Sequence, residues 1–126
     1  MKTNKLSCKD LMIGDWVEFI QFDGQGFYAP VEALNDDSTF AESGCFADNM
    51  VKPIPLTAEI LEKNGFVRSK VFEVWKYEDG EVSMLWKPFP FLTVDCDSAI
   101  VKFPCEHVHK LQHAMRLCGI EKTIEL

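Results

Sequence analysis

The sequence predicts an α+β protein: a small curved β-sheet, a short linker helix, then a hairpin-based sheet packed by a C-terminal helix. Three observations lead there. Brief apolar–polar alternations separated by Gly, Pro, Asn and Asp recur across residues 10–55, as expected of short strands joined by tight turns. Residues 53–66 carry both the start and the stop signals of one helix. Near the end, Val108, Leu111, Met115 and Cys118 recur at helical spacing and make one apolar stripe to lie on a sheet. The expected division is a small β-barrel-like subdomain over residues 1–55 and an α+β subdomain over 56–126. The second should hold a helix at 58–64, strands within 70–103 and a helix at 105–118, sharing one core with the first or forming its own.

In order along the chain, Asp10 to Gly14 reads as a turn or short helical piece. Trp16, Glu18 and Ile20 then alternate with Val17 and Phe19, so one face of that strand is expected to be buried. Leu11, Gly14, Asp15, Trp16 and Val17 resemble the opening of Src-homology-3-like barrels, where the glycine lets the chain turn sharply into the first strand. Asp23, Gly24 and Gly26 supply a turn into a strand at residues 28–34, which Pro30 confines to an edge or a bulge. Asn35 to Ser38 is a turn, Thr39 to Ala41 a short strand, Ser43 and Gly44 a break, and Cys45 to Val51 leads to Pro53 and Pro55. These prolines forbid helix and hold the chain extended.

Thr57 suits the N-cap, its hydroxyl accepting a first-turn N–H, and Glu59 adds negative charge at the positive helix end. Leu56 and Leu61 fall at the positions of a hydrophobic staple. Gly65 can take the left-handed conformation that closes the helix and brings Phe66 back over Leu61. Lys70 to Tyr77 alternates and is expected as a strand, with Glu73, Trp75 and Tyr77 on one face and Phe72 and Val74 on the other. Being apolar on both sides, it should be buried on both or covered by a partner. Asp79 and Gly80, between that run and Val82 to Trp86, give the best hairpin signal in the chain. Pro88 and Pro90 interrupt, Leu92 to Val94 and Ile100 to Phe103 add strands, a helix runs from near Pro104 to Gly119, and Ile120 to Leu126 is expected as a last short strand.

Most of the net charge of −7 falls on residues 1–52, which hold four Lys against nine Asp/Glu; residues 53–126 hold nine Lys/Arg against eleven. That acidity repels phosphate and no Lys/Arg cluster offsets it, so direct nucleic-acid binding is not expected. No apolar run approaches the roughly 20 residues that cross a bilayer, and the first residues, Met1 to Lys5, lead into no greasy segment, which points to a cytoplasmic protein without a membrane partner. Five cysteines, odd in number and without a Cys-x-x-Cys pair, fit reduced thiols in small core positions.

Three blocks carry a resemblance: Leu11 to Val17, Lys52 to Phe66, and His109-Lys110-Leu111-Gln112 in the last helix, together about a quarter of the chain. On these the chain resembles a family of small proteins of Bacteroides-type gut bacteria and their phages or prophages. His113 stands where that pattern has asparagine, and the approach through Cys105 is not part of it. The resemblance implies a phage or mobile-element origin; the family has no established activity, so no functional residues follow from it.

One arrangement is worth weighing for chemistry. Cys105, His109 and His113, spaced by four, would stack along one helix stripe, where a thiolate and two imidazoles can share a metal such as zinc. Against this, no fourth ligand is marked, Arg116 extends the same stripe, and Cys105 precedes or caps the helix; a half-exposed polar flank is the simpler reading. Cys105 at a helix N-terminus, with His109 as base, would be a nucleophile, but no orienting Asp or Asn accompanies it. His107 reads as a packed, hydrogen-bonded histidine. Asp95 and Asp97 could share a face as paired carboxylates, or be two surface acids at a turn. Phosphate-cradling glycine loops, Gly-x-Ser-x-Gly and His-Glu-x-x-His are missing from the sequence.

The sequence therefore points to a non-enzymatic, cofactor-free protein-interaction or accessory protein with a protein partner. It would dock through a sheet edge or the stiff segment Pro88 to Phe91, with Phe89 and Phe91 as contacts. The alternative is an acidic mimic of nucleic acid that occupies a host DNA-binding protein, using Asp15, Glu18, Asp23, Asp36 and Asp37.

Overall fold

Val17 and Phe19 are completely buried in β1 (Trp16–Ile20), while Trp16, Glu18 and Ile20 are half-buried, so the alternation sorts the strand as expected. Burying two such side chains contributes about 1.5–3 kcal/mol each. The computed structural model describes residues 6–96 and 99–126. Among these, contacts divide the chain into two units, one of residues up to Ile54 with His107–His109, the other Pro55–Glu106 with Lys110–Leu126.

The first unit contains β1, β2 (Gly26–Pro30), β3 (Ala33–Leu34), β4 (Ser38–Ala41), β5 (Gly44–Ala47) and β6 (Val51–Pro53). They form two three-stranded sheets, ordered β2-β1-β6 and β3-β4-β5. Pro30 closes the edge strand β2, where a missing N–H breaks no ladder. Phe19 and Phe27 from one sheet meet Phe46 from the other, with centroids 4.8 and 5.9 Å from that ring. Leu6, Leu11, Val31, Ala41 and Val51 complete this core with Val17.

The second unit opens on α1 (Ala58–Lys63). Thr57 Oγ1 accepts from the Ile60 N–H at 3.3 Å, and at the other end the Phe66 N–H donates to the Leu61 carbonyl at 3.0 Å and the Gly65 N–H to Glu62 at 3.3 Å. Gly65 holds φ +94°, the left-handed backbone that this closure requires. Then come β7 (Val67–Arg68), β8 (Trp75–Asp79), β9 (Val82–Lys87), β10 (Phe91–Cys96) and β11 (Ala99–Pro104), an antiparallel sheet ordered β11-β10-β9-β8-β7. The Asp79↔Val82 register leaves Gly80 and Glu81 as a two-residue hairpin loop. The last element is α2 (Val108–Leu117), which closes as α1 does: Ile120 donates to Met115 at 2.9 Å and Gly119, at φ +74°, to Arg116 at 3.1 Å.

Four expectations need correction. The strand expected from residue 70 begins only at Trp75, because residues 69–74 bond to themselves: Ser69 N–H to the Val74 carbonyl at 2.8 Å, Val74 N–H to Phe72 at 2.9 Å. The last helix starts at Val108 instead of 105. The backbone before it is committed elsewhere, with the Cys105 N–H donating to the Pro90 carbonyl at 3.1 Å and the Glu106 carbonyl accepting from Leu56 at 2.9 Å. Residues 120–126 form no strand; the buried side chain of Asn64 pins them, donating to the Glu125 carbonyl at 2.8 Å and accepting the Glu125 N–H at 2.7 Å. Of the cysteines only Cys8 and Cys105 are buried; Cys45 is exposed and Cys96 and Cys118 are partly so. Among the described residues, no helix is long and apolar enough to cross a membrane.

Candidate functional site

Alternate residues divide the five-stranded sheet of the second unit into two faces. Trp75, Met84, Trp86, Leu92 and Val94 fall on one face by register and are all buried; Trp75 and Trp86 meet edge-on at 5.7 Å. Their polar atoms are satisfied, Trp75 Nε1 donating to Glu62 at 2.9 Å and Trp86 Nε1 to the Cys105 carbonyl at 3.0 Å. Register places Val67, Lys76, Leu85 and Thr93 on the opposite face, and Lys87 with Phe91.

A groove of about 830 Å³ lies on this opposite face. Val67 and Leu85 contribute its apolar floor, Phe72 and Val74 come from the self-bonded loop, and Pro88 and Phe89 from the turn between β9 and β10. The Phe89 N–H donates to the Lys87 carbonyl at 2.8 Å, and a proline on each side stiffens that turn, so the ring is held outward at 77% exposure. Phe72 is 68% and Val67 70% exposed. Lys76 and Lys87 line the groove with one carboxylate, Glu73, whereas Arg68 borders it but pairs in register with Trp75 and turns its side chain to the covered face. The Arg68 guanidinium stands 5.7 Å from the Trp75 ring centre; Lys76 pairs with Glu78 at 2.7 Å across open solvent, a contact of little strength.

Of the two expected contact aromatics, Phe89 therefore lines the groove and Phe91 does not. Phe91 is only 36% exposed, with the Lys102 ammonium 5.3 Å from its ring centre. Phe72, Val67 and the cations escaped the sequence reading, because Phe72 was assigned to a strand. Its signal was Ser69, a turn former just before the alternation, whose hydroxyl accepts the Val71 N–H.

The stripe of Cys105, His109 and His113 does not form, since Cys105 lies outside α2. His109 is buried, with its ring stacked on His107 at 5.8 Å, and His113 is half-buried. Burial pushes the Cys105 thiol up to about 12, with only a small opposing pull from Lys110, so at neutral pH it is a thiol and not a nucleophilic thiolate. Cys118 is also raised, by burial and by the neighbouring Cys96. Among the described residues no group of three or more His, Cys, Asp or Glu is placed to hold a metal ion. Asp97 lies outside the described residues, and Asp95 is exposed on β10.

The acidic set is also dispersed in role. Asp15 is completely buried, its carboxylate accepting the Met12 N–H at 2.8 Å, Asp23 closes a local turn by accepting the Gln25 N–H, and Asp37 accepts from the Ser38 hydroxyl beside it. Glu18 is half-buried and Asp36 exposed.

Protein-family models, curated proteins and solved structures give no match to this chain. The groove is thus characterised by its own chemistry: an apolar floor, two projecting phenylalanines, and Lys76, Lys87 and Glu73 at its margin.

Proposed function

We propose that this chain is a non-enzymatic accessory protein of phage or mobile-element origin that works in the cytoplasm and holds a segment of a partner protein in the groove of its second unit. One observation carries the reading. Phe72 and Phe89, two large apolar side chains on short loops, are held in water on either side of a shared hollow, an arrangement that costs solvation and gains nothing for the unit's own core. The first unit, in which Gly14 turns the chain toward β1, is read as a Src-homology-3-like scaffold that takes no part in the chemistry.

The test is selection of a displayed peptide library on the purified chain, followed by titration of the selected peptides against wild type and the double variant Phe72→Ala/Phe89→Ala. Loss of at least about tenfold in affinity, or 1.4 kcal/mol, is expected. Peptides that bind both proteins equally would place the docking surface elsewhere.

A further inference from the structure

The five-stranded sheet ends in two unequal edges. β7 is two residues long, whereas β11 runs for six, Ala99–Pro104, with β10 on one side of it. Edge strands are kept from pairing by brevity, by proline or by an exposed lysine. β11 is long, and its proline comes at its last residue. Its lysine is drawn back over its own sheet, with the Lys102 ammonium 5.3 Å from the centre of the Phe91 ring on β10. Ile100 is 70% and Val101 54% exposed, on opposite faces of the strand. No residue of β11 is among those lining the groove, so this edge is a separate surface.

In an antiparallel ladder, residues that turn their N–H and C=O toward one neighbour alternate with residues that turn them away. The Cys105 N–H donates to the Pro90 carbonyl, one step beyond the Phe91↔Pro104 pair, and this fixes the phase of β11. Phe103 and Val101, in step with Cys105, bond to β10, and the N–H and C=O groups of Ile100 and Lys102 face outward. Three antiparallel registers would bring the outward groups of a second β11 against them. Setting Lys102 opposite Lys102 of the second copy opposes like charges and places Pro104, which has no N–H, against Ile100. Setting Ile100 opposite Ile100 leaves Lys102 beyond the end of the other strand. Centring the pair on Val101 sets Ile100 opposite Lys102 of the second copy, and the reverse, so that the outward groups of both residues meet partners. Val101 then faces Val101, the small Ala99 faces the large Phe103, and Ile100 lies along the methylene stem of a lysine whose charge is held elsewhere.

We infer that the chain self-associates through β11: two copies pair these edges antiparallel about a two-fold axis at Val101, continuing the sheet from one protomer into the other. The register itself points to a second copy, because a two-fold at Val101 makes each half of the contact repeat the other. A contact confined to one strand per copy is small, and each copy carries −7, so the dimer is weak and tightens as salt screens the mutual repulsion.

Sedimentation equilibrium of the full chain over about 5–500 µM tests this. The 14.4 kDa monomer should give way to a species of twice that mass as concentration rises, and more so at about 500 mM salt than at about 50 mM. Amide exchange read by NMR should show Ile100 and Lys102 gaining protection with concentration, and Val101 and Phe103 protected throughout. Lys102→Pro removes an outward N–H without breaking a bond to β10 and should leave the chain monomeric. Val101→Lys, which sets like charges together at the axis, should do the same and replaces it if circular dichroism shows the proline variant unfolded. Ile100→Glu and Ile100→Lys remove the same apolar side chain, yet the first faces Lys102 of the second copy with opposite charge and the second with like charge. The glutamate variant should dimerise about tenfold more tightly, although its net charge is the more negative. A chain that stays monomeric, with the Ile100 and Lys102 amides exchanging freely at every concentration, would overturn the inference. So would a dimer that the folded Lys102→Pro or Val101→Lys variant leaves intact, or one that Ile100→Lys forms as tightly as Ile100→Glu.

Discussion

The two faces of the five-stranded sheet are built by alternate residues of the same strands, yet one is a core and the other a groove. On the first, Trp75, Met84, Trp86, Leu92 and Val94 are buried and both indole N–H groups are satisfied. On the second, Lys76, Leu85 and Lys87 stand among exposed Val67 and Phe89. The difference teaches that period-two alternation sets which residues share a face, while the identity of those residues decides whether the face is covered. The tryptophan-rich face is covered within the chain; the face that mixes lysines with apolar side chains stays open to solvent.

The largest blow to that contrast should come from Trp86→Ala on the covered face. Removing the indole empties a packed site and strips the Cys105 carbonyl of its donor, for an expected loss of about 3–5 kcal/mol in urea unfolding. Its open-face neighbour Leu85→Ala should cost less than about 1.5 kcal/mol, since that side chain is only half-buried. Equal losses at the two positions would show that the open face is also a core.

Next in size is Asn64→Ala. The carboxamide donates to Ile60 at 2.7 Å and makes both bonds to Glu125, all in a buried position, so about 2–3 kcal/mol should be lost. Hydrogen exchange sharpens the assignment: protection of the Glu125 amide should disappear ahead of that of the sheet.

A smaller effect appears with pH. The Cys105 thiol lies at about 12 in the folded chain against an ordinary value of 9.0, so it stays protonated on folding while the unfolded chain ionises. Its contribution is complete below about pH 9 and is lost as pH rises from there through about 12. Urea midpoints should fall over that window, and Cys105→Ala should fall less steeply. A variant with an unchanged slope would assign the effect to the other groups that burial raises, Cys8, Cys118 and Tyr77.

The smallest expected effect is on the open face itself: Phe89→Ala should alter stability by no more than about 0.5 kcal/mol while weakening peptide binding. A large destabilisation would mean that the ring supports the fold.

What was legible in the sequence follows the range of the forces involved. The helix at 58–63 could be read because Thr57, Leu61, Gly65 and Phe66 act within one or two turns, and the Asp79-Gly80 hairpin because its turn is equally local. Phe89 was found because flanking prolines force it out of a ladder. Phe72 was lost because alternation in a self-bonded loop looks like alternation in a strand. The helix start was misplaced because helical spacing continues through Cys105 while its backbone bonds to Pro90, fifteen residues earlier in the chain. Asn64 was invisible for the same reason, its partner being 61 residues away. The groove draws on residues from 67 to 89 that meet only once the sheet exists.

That long reach of Asn64 has a consequence for synthesis. A ribosome releases residue 64 well before residue 125, so through the intervening translation the carboxamide has only Ile60 and water as partners. The clasp snaps shut after almost all of the second unit has left the exit tunnel, and until then α1 should fray and re-form on the nascent chain, exposed to proteases and available to chaperones.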